Sequence, residues 1–269
     1  MADDYARMYD YFAEKTDDAY ITKKFTPKSA AGYRGWRRER YLVDFLNLKK
    51  SDVFLDLGCA SGRHANMFAD RVKESWGVDI SPTFIKKAQE AKSGAKFKVA
   101  DAAKLPFKDG YFDKILAGEI LEHVPDLDAV IKETNRVLKK GGILVITVPQ
   151  RNADATMWKR VKNGLLRKDT KLLKEFSVEA YEKTGHMHVR SFTPESLKKD
   201  LEKHGLKVDK MTPCRVVDFP FYEKFFGLTD KLRMREPMVK VMASLDNVLE
   251  KNKASLDYSA GLVARAVKA

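Results

Sequence analysis

Short apolar runs alternate with helical patterns between residues 53 and 149, and this alternation constrains the fold more than any other feature. Strands are predicted at 53–58, 75–80, 95–100, 112–118 and 142–149. Helices are predicted between them at 63–71, 82–92 and 127–139. Several of the strands are apolar almost continuously, as expected where both faces of a parallel sheet are covered. The pattern therefore predicts a doubly wound α/β fold with right-handed crossovers.

The segments on either side of this core are less regular. Amphipathic patterns predict helices at 3–15 and 34–47, and "TPESLKKDLEKHG" predicts a helix capped by Thr193. Two further strands are predicted in "LKVDKMTPCRVV" and "SLDYSAGLVARAVK". The predicted organisation is an N-terminal helical lid at 1–50, a ligand-binding core at 51–150, a helical insertion at 151–190, and the C-terminal part of the sheet at 191–269 with a helical insertion at about 218–252.

The composition is that of a globular protein in a reducing compartment. The chain has 269 residues, 44% of them hydrophobic and 33% charged, which suits one large α/β domain with insertions. Its two cysteines, Cys59 and Cys214, are too few for a disulfide framework. The start, "MADDYARMYDYFAEK", has no apolar signal segment, and no apolar run approaches the roughly 18–20 residues of a membrane helix. A cytoplasmic location is therefore expected.

Positive charge is concentrated in the second half of the chain. The net charge is +13; residues 1–150 hold 26 basic and 22 acidic residues, and residues 151–269 hold 25 and 16. The densest stretch, residues 151–175, has 8 basic and 3 acidic residues. A solvated Lys-rich helical face accounts for such a stretch. The alternative is attraction of an anionic partner, such as a phosphorylated substrate, a membrane surface or RNA.

The turn after the first strand, "LDLGCASGRHA", predicts a nucleotide-type ligand. Gly58, Ala60 and Gly62 let a ligand approach the backbone closely, and Asp79, at the tip of the next strand, can bind both hydroxyls of a ribose. A dinucleotide would need a third glycine where Arg63 stands. Asp56, at the end of the first strand, would repel a pyrophosphate but suits a ligand with ammonium and sulfonium charges. The turn therefore favours S-adenosylmethionine.

The stretch "VFLDLGCASG" is similar to the first motif of the class I S-adenosylmethionine-dependent methyltransferases, in particular the methyltransferase type 11 and quinone-biosynthesis O-methyltransferase group. The resemblance covers about residues 36–150 and continues more weakly through "GHMHVRSFTPESLKKDLEKHGLKV". It implies a Rossmann-like, mostly parallel seven-stranded sheet with helical lid insertions, and S-adenosylmethionine as cofactor. The cofactor-binding residues that it implies are Arg38, Asp56, Gly58, Ala60, Gly62, Asp79, Ile80, Asp101, Ala102 and Glu119.

The resemblance also implies a role for several of these residues. Asp56 and the glycine turn would surround the methionine moiety, and Arg38, in "YRGWRRERY", would hold its carboxylate. Asp79 would bind the ribose. Asp101 would receive the adenine amino group, with the Ala102 backbone N–H facing the ring. Ala60 departs from the family pattern, because most members have glycine at that position.

The acceptor side of the site would come from segments outside the sheet. Switch-point geometry places the reactive methyl above the carboxyl ends of the strands. The segments available to cover it are the N-terminal residues and the two insertions. "FPFYEKFF" in the second insertion packs five aromatic residues into eight positions, which is typical of a core and also of an apolar lid. An aromatic lid beside a basic insertion favours an amphiphilic or anionic acceptor.

The stretch "EILEHVPD" follows the fourth strand and holds the candidate catalytic residues. If the chain turns helically there, Glu119, Glu122 and His123 share one face that points at the cofactor methyl. Quinone-biosynthesis O-methyltransferases and plant small-RNA 2′-O-methyltransferases look similar here, and the resemblance implies that a distant histidine completes a site for Mg²⁺, Mn²⁺ or Zn²⁺. That histidine would be His186 or His188. The alternative is a metal-free site in which Glu122 and His123 only stabilise the turn, or in which His123 or His186 is a general base.

Three functions are consistent with these residues. The leading hypothesis is methyl transfer from S-adenosylmethionine to a small-molecule acceptor, at oxygen or carbon. A second is an RNA methyltransferase, which the positive charge supports, although no RNA-binding module is evident. A third is a non-catalytic, cofactor-binding scaffold for a partner subunit, because a fold does not by itself define a function.

Overall fold

The predicted α/β fold is confirmed in a computed structural model that describes residues 2–15, 30–150, 188–214, 244 and 261–269. Seven strands form one sheet in the order β3-β2-β1-β4-β5-β7-β6. The strands are Val53–Leu57 (β1), Glu74–Asp79 (β2), Lys96–Val99 (β3), Phe112–Gly118 (β4), Leu138–Pro149 (β5), Leu206–Pro213 (β6) and Gly261–Lys268 (β7). The first five are parallel, and β7 is antiparallel to both of its neighbours.

Helices connect the strands and cover both faces of the sheet. They are Ala2–Lys15 (α1), Ala30–Leu46 (α2), Arg63–Phe68 (α3), Pro82–Glu90 (α4), Leu127–Val137 (α5) and Pro194–Glu202 (α6), with a single 3₁₀ turn at Ala69–Arg71. The order of the strands reverses between β1 and β4, so the carboxyl ends of these two neighbours flank the crevice where ligands bind in such sheets.

Alternate residues of the central strands enter two hydrophobic layers. In β4, Ile115 packs with Val130 of α5 on one face, whereas Leu116 packs with Leu42 of α2 on the other. Ile115 and Leu116 are both fully buried, and burying such a side chain contributes about 1.5–3 kcal/mol. This two-sided burial is the reason that the strands are almost continuously apolar in the sequence.

Side-chain caps fix where three of the helices begin. Ser81 caps α4 by accepting a hydrogen bond from Phe84 N, and Asp126 caps α5 by accepting one from Ala129 N. Thr193, predicted as a cap, forms a reciprocal pair of bonds with Ser196 at the start of α6. A polar cap of this kind stabilises a helix by about 0.5–2 kcal/mol because it satisfies backbone N–H groups that have no partner within the helix.

The structure differs from the sequence prediction at the start of β5. The strand was expected at 142, but it begins at Leu138, which pairs with Phe112 ahead of an irregularity in the ladder. Gly141 at φ +71° lets the chain turn within this pairing. The two predicted helical insertions, at 151–190 and at about 218–252, lie almost wholly outside the described residues. Within the described part of the chain, no helix combines the length and apolar character needed to cross a bilayer.

Candidate cofactor and acceptor site

The turn between β1 and α3 folds back over β2. Backbone N–H groups of Gly58 and Cys59 both donate to Val78 O, at 2.8 and 2.9 Å. Three residues of the turn, Gly58, Ala60 and Gly62, have positive φ angles of 69°, 44° and 76°. This left-handed backbone aligns the turn along the carboxyl end of β1 and leaves its peptide groups close to the crevice.

Two of these glycines also make room for neighbouring side chains. A Cβ atom at Gly58 would lie 2.5 Å from Ile120 Cδ1, and one at Gly62 would lie 2.7 Å from both the Phe97 ring and Ala88 Cβ. Real Cβ atoms do not approach that closely, so any larger residue would push the turn away from β2 or displace Ile120. The predicted cofactor-binding roles of Gly58 and Gly62 are consistent with this packing.

Asp79 lies at the tip of β2 and is buried beside the turn. Its carboxylate accepts hydrogen bonds from Ala60 N at 2.8 Å and from Ser81 N at 3.0 Å. Burial raises its pKa to about 6, although those backbone donors lower it. Each carboxylate oxygen has a second lone pair, so the group can also receive ribose hydroxyls. Asp79 therefore organises the glycine turn as well as occupying the position predicted for a ribose-binding acid.

Asp56 is a second buried acid in the same crevice. It accepts a hydrogen bond from Ala65 N at 3.2 Å, and burial raises its pKa to about 7, with a smaller contribution from the charge of Asp79. His64 Nδ1 lies 4.0 Å from its carboxylate, but burial lowers the pKa of this imidazole to about 3, and the charges of Arg63 and Arg38 add to the effect. A neutral imidazole gives Asp56 no compensating charge.

Two buried carboxylates define the electrostatics of the crevice. A pyrophosphate would add like charge to Asp56 and Asp79, whereas a ligand with ammonium and sulfonium charges would favour their ionised forms. As the sequence suggested, the two buried acids disfavour a dinucleotide as the ligand. Of the other predicted residues, Ile80 directly follows β2, and Ala102 lies three residues after the end of β3. Asp101 is exposed and accepts a hydrogen bond from Ala103 N.

Glu119 begins the turn after β4 in a conformation that is rare for a residue with a side chain. Its φ is +55°, and its N–H donates to Thr147 O at 2.9 Å. Its carboxylate lies 3.6 Å from Arg38 of α2. The structure therefore brings two predicted cofactor-binding residues, Arg38 and Glu119, together. Strained backbone of this kind concentrates at functional sites.

A second cluster, called here the histidine cluster, consists of Glu122, His123 and His188. One ligand atom from each lies within 4.8 Å of the others. Glu122 is fully buried with its carboxylate 3.8 Å from His123 Nε2, and the His123 and His188 rings meet edge to face at 4.8 Å. Of the two histidines predicted for this role, His186 lies outside the described residues.

The structure differs from the sequence prediction in the position of Glu119 relative to this cluster. Residues 120–123 form a tight turn, with His123 N donating to Ile120 O, instead of a longer helical segment. Glu119 therefore faces Arg38, and among the described residues it is not part of the group that could hold a metal ion. The positive φ of Glu119 is the physical reason, because it reverses the chain direction before the turn begins.

Sequence reasoning missed three residues that border the site. Tyr9 of α1 contacts His123 edge to face at 5.8 Å, and Asp10 accepts hydrogen bonds from Ser81 Oγ and Thr83 N. Arg190 binds the turn that carries His123. All three contact residues that are distant in the sequence, and hydrophobic periodicity does not report such contacts. The segment "HVRSF", inside the weaker part of the family resemblance, was the one available signal for Arg190.

Comparison with known proteins identifies the family. A family model described as a methyltransferase domain matches residues 55–146, the span from β1 to β5. Demethylmenaquinone methyltransferase of Lactobacillus johnsonii is 31% identical over 185 residues, which cover 64% of this chain and 74% of that protein. The chain therefore belongs to the class I S-adenosylmethionine-dependent methyltransferases. S-adenosylmethionine is the cofactor of this family, and the acidic crevice and close-packed glycine turn fit it.

Other relatives match shorter spans. The 2-methyl-6-phytyl-1,4-hydroquinone methyltransferase of Synechocystis is 42% identical over 103 residues, which cover 37% of this chain. The chain spans about a third of the length of that relative. Among solved structures, the methyltransferase in a complex with the Haloferax volcanii Trm112 methyltransferase activator has a TM-score of 0.63 at 19% identity, covering 96% of each chain. At that identity, the likeness shows the fold.

Proposed function

We propose that this chain transfers the methyl group of S-adenosylmethionine to an oxygen or carbon atom of a small molecule of the quinol or hydroquinone type. The observation that carries the proposal is the position of the histidine cluster. His123 follows β4, a neighbour of β1 at the point where the order of the strands reverses, so the acceptor-activating group stands beside the cofactor crevice. The relatives named for quinone and hydroquinone substrates support the acceptor class.

The residues of the crevice position the cofactor. Asp79 receives the ribose hydroxyls while it holds Ala60 and Ser81 in place. Asp56 faces the positively charged methionine end, and Arg38 neutralises the carboxylate there. Asp101 and Ala102 border the adenine. S-adenosylmethionine supplies an already activated methyl group, so the protein contributes chiefly alignment of the acceptor with the departing sulfur.

The histidine cluster activates the acceptor. Loss of the phenolic proton makes the oxygen and the ortho ring carbon nucleophilic, and general-base catalysis of that step contributes typically 10²–10⁴-fold. After transfer to carbon, the ring carbon loses its hydrogen as a proton, which restores the aromatic ring. His123 takes the proton, and the buried carboxylate of Glu122, 3.8 Å away, stabilises the imidazolium that forms. His188 packs against His123 and limits the directions from which an acceptor can enter.

The same three residues are suited to hold a divalent ion. One carboxylate and two imidazoles within 4.8 Å form a donor set that favours Zn²⁺ or Mn²⁺ over Mg²⁺, which prefers oxygen ligands. A bound ion would lower the pKa of an acceptor hydroxyl. In that form of the proposal Glu122, His123 and His188 are the ligands, and Glu119 stays with Arg38.

The N-terminal helix α1 forms a lid over the crevice in this proposal. Asp10 joins α1 to the start of α4 beside Asp79, and Tyr9 contacts His123 beyond β4. The helix therefore contacts both the cofactor side and the acceptor side of the site. The aromatic ring of Tyr9 would form an apolar wall for a ring-shaped acceptor.

An assay of S-adenosylhomocysteine release tests the proposal with a panel of hydroquinones, catechols and phenols. We expect turnover that His123→Gln reduces at least tenfold while S-adenosylhomocysteine still binds. His204→Gln is the matched control, since His204 pairs with Asp128 on α5. Chelation followed by addition of Zn²⁺ or Mn²⁺ distinguishes a metal site from a metal-free general base. Turnover that is lost on chelation and recovered on addition of the metal indicates an ion, whereas unchanged turnover indicates a base.

The two alternative functions make different predictions in the same experiment. An RNA methyltransferase would turn over with total RNA and be inactive with the phenol panel. A scaffold would bind S-adenosylhomocysteine and show no turnover with either set, unless a partner subunit is added. Either result would overturn the acceptor class proposed here.

A further inference from the structure

The turn that carries Glu122 and His123 has little internal support. It follows the strained residue Glu119 and contains one internal backbone hydrogen bond among the described contacts, from His123 N to Ile120 O. Regular secondary structure begins again after Asp126, which caps α5. A segment of this kind needs contacts from elsewhere in the chain to hold a catalytic side chain in one position.

Leu121 and Val124 are buried in the core, and the hydrogen bonds that hold the backbone of the turn come from the two residues that follow His188. Arg190 Nη1 donates to Leu121 O at 3.0 Å and also to Val124 O. Arg190 Nη2 donates to Pro125 O at 3.0 Å. The backbone N–H of Val189 donates to Glu122 O at 2.9 Å. Residues 189 and 190 therefore bind four of the five carbonyl groups between 121 and 125.

The chemistry of this contact is specific to arginine. Three carbonyl oxygens converge on one planar guanidinium, whose five N–H groups form a fixed fork. Charge-assisted bonds of this type are about twice as strong as neutral ones. Lysine has three donors on a flexible stem and cannot reproduce the planar arrangement, although it can keep one or two of the bonds.

The same segment also sets the distance between the two histidines. His188 lies two residues before Arg190, and Phe192, two residues after it, is buried in the core with a backbone bridge to Gln150. Arg190 thus holds the His123 turn against a segment that is itself anchored on the sheet. The rings of His123 and His188 lie 4.8 Å apart within this arrangement.

We propose that Arg190 is a positioning residue that fixes His123 against His188 for reaction with the acceptor. The assignment of His123 to the acceptor rests on the function proposed above. The contact with the turn does not, so it can be tested without an acceptor. Arg190 itself touches neither of the reacting molecules in this proposal, and acts through the backbone of residues 121–125.

The first test observes the geometry directly, in protein saturated with S-adenosylhomocysteine and labelled with ¹³C and ¹⁵N at histidine. We expect a nuclear Overhauser effect between the His123 and His188 rings, assigned with His123→Gln and His188→Gln. Arg190→Ala should abolish it, and Arg190→Lys should restore part of it. Amide hydrogen exchange in residues 119–126 should become about tenfold faster or more in Arg190→Ala, since each charge-assisted bond corresponds to at least that factor.

Arg136→Ala is the matched control. Arg136 also bonds one backbone carbonyl and two carboxylates, but on α5, away from the turn. We expect it to leave the ring contact and the exchange of residues 119–126 unchanged. Where the acceptor panel gives turnover, Arg190→Ala should lower kcat about tenfold and leave the KM for S-adenosylmethionine unchanged.

The outcomes separate this inference from the proposed function. An unchanged ring contact and unchanged exchange in Arg190→Ala would overturn the positioning role, whatever the activity. A lost ring contact in a protein that methylates no phenol would support the positioning role and contradict the proposed acceptor. If Arg190→Ala does not fold, Arg190→Lys decides: full retention of both signals contradicts the requirement for a guanidinium.

Discussion

The carboxylate of Asp10 accepts a hydrogen bond of 2.7 Å from the hydroxyl of Ser81, and this contact joins the N-terminal helix to the segment that follows β2. Ser81 N donates in turn to Asp79, so the helix and the cofactor site share one chain of hydrogen bonds. The pKa of Asp10 is lowered because the bonds from Ser81 and Thr83 together outweigh the effect of burial. Asp10 is therefore charged in this contact at neutral pH.

Asp10→Ala should weaken the attachment of α1. We expect proteolysis within residues 2–15 to be several-fold faster than in the wild type without ligand, because two hydrogen bonds to a charged group are lost. S-adenosylhomocysteine should slow the cutting of the wild type more than that of the variant. Asp113→Ala, which also removes a carboxylate that accepts two hydrogen bonds but lies at the amino end of β4, is the control. Equal cutting rates of wild type with and without ligand would contradict a lid.

Asp79→Ala should reduce the affinity for S-adenosylmethionine and S-adenosylhomocysteine by about tenfold or more. The bonds to the ribose are charge-assisted and worth about 1.5–3 kcal/mol each. Calorimetry measures the loss, and Asp79→Asn, which keeps the shape and one acceptor oxygen, should lose less. NAD should not bind to either protein. Undiminished binding by Asp79→Ala would show that this residue does not contact the ribose.

Cofactor affinity should rise with pH up to about 7 and then level off. The pKa of Asp56 in the folded protein is about 7, above its usual 3.8, so the carboxyl is largely protonated at pH 6. A positively charged ligand favours the ionised form, and binding below pH 7 therefore releases a proton. Asp56 contributes at most tenfold per pH unit, and Asp79, whose pKa is about 6, adds to the dependence at lower pH. Calorimetry in buffers of different ionisation enthalpy measures the number of protons released when the cofactor binds.

The raised pKa of Asp56 also predicts how the stability of the ligand-free protein changes with pH. Between about pH 4 and 7 the folded protein retains a proton that the unfolded chain has lost, so the free energy of unfolding should fall as the pH rises across this window. Asp56→Asn should flatten both the stability profile and the binding profile. Asp52→Asn, at the other end of β1, should leave the binding profile as it is; a flat wild-type profile would contradict the role of Asp56.

Ala60→Gly should stabilise the protein. Ala60 has a φ of +44°, and the left-handed region costs a residue with a Cβ roughly 1–2 kcal/mol. The added freedom of glycine in the unfolded chain offsets about 0.4–1 kcal/mol of this gain. We expect a net increase of about 0.5–1 kcal/mol in urea unfolding. Ala65→Gly, the same change inside α3, should instead destabilise by about 1 kcal/mol. A loss of stability in Ala60→Gly would mean that the Ala60 methyl group makes a packing contact that outweighs the strain.

Most of the fold could be predicted from local sequence. The central strands β1, β4 and β5 are buried on both faces, so their apolar runs are unambiguous, and Thr193 and Pro194 mark the start of α6 by ordinary capping rules. The start of β5 could not be predicted, because it depends on an irregular pairing of Leu138 with Phe112 across the sheet. Hydrophobic periodicity describes each strand separately and does not report how two strands pair.

The positions of acids at strand tips could be predicted from the sequence, whereas positions that depend on local backbone geometry could not. Asp56 and Asp79 follow from an acid at a strand tip. Glu119 was placed with Glu122 by helical spacing, whereas its positive φ turns it toward Arg38. Arg190 had no expected role, because its partners are backbone carbonyl groups 65 or more residues away. Every residue has such a carbonyl group, so the sequence does not show which of them Arg190 will bind.

The position of β7 has a consequence for the order in which the protein can be built. β7 lies between β5 and β6, although it is the last of the seven strands along the chain. As the polypeptide leaves the ribosome, β6 emerges before the neighbour that it pairs with, and β5 keeps an open edge from Ile143 to Pro149 during the same interval. The cofactor half of the sheet can form in that time. The last strand therefore closes the sheet, and any delay in its arrival prolongs the period in which an apolar edge is open to aggregation.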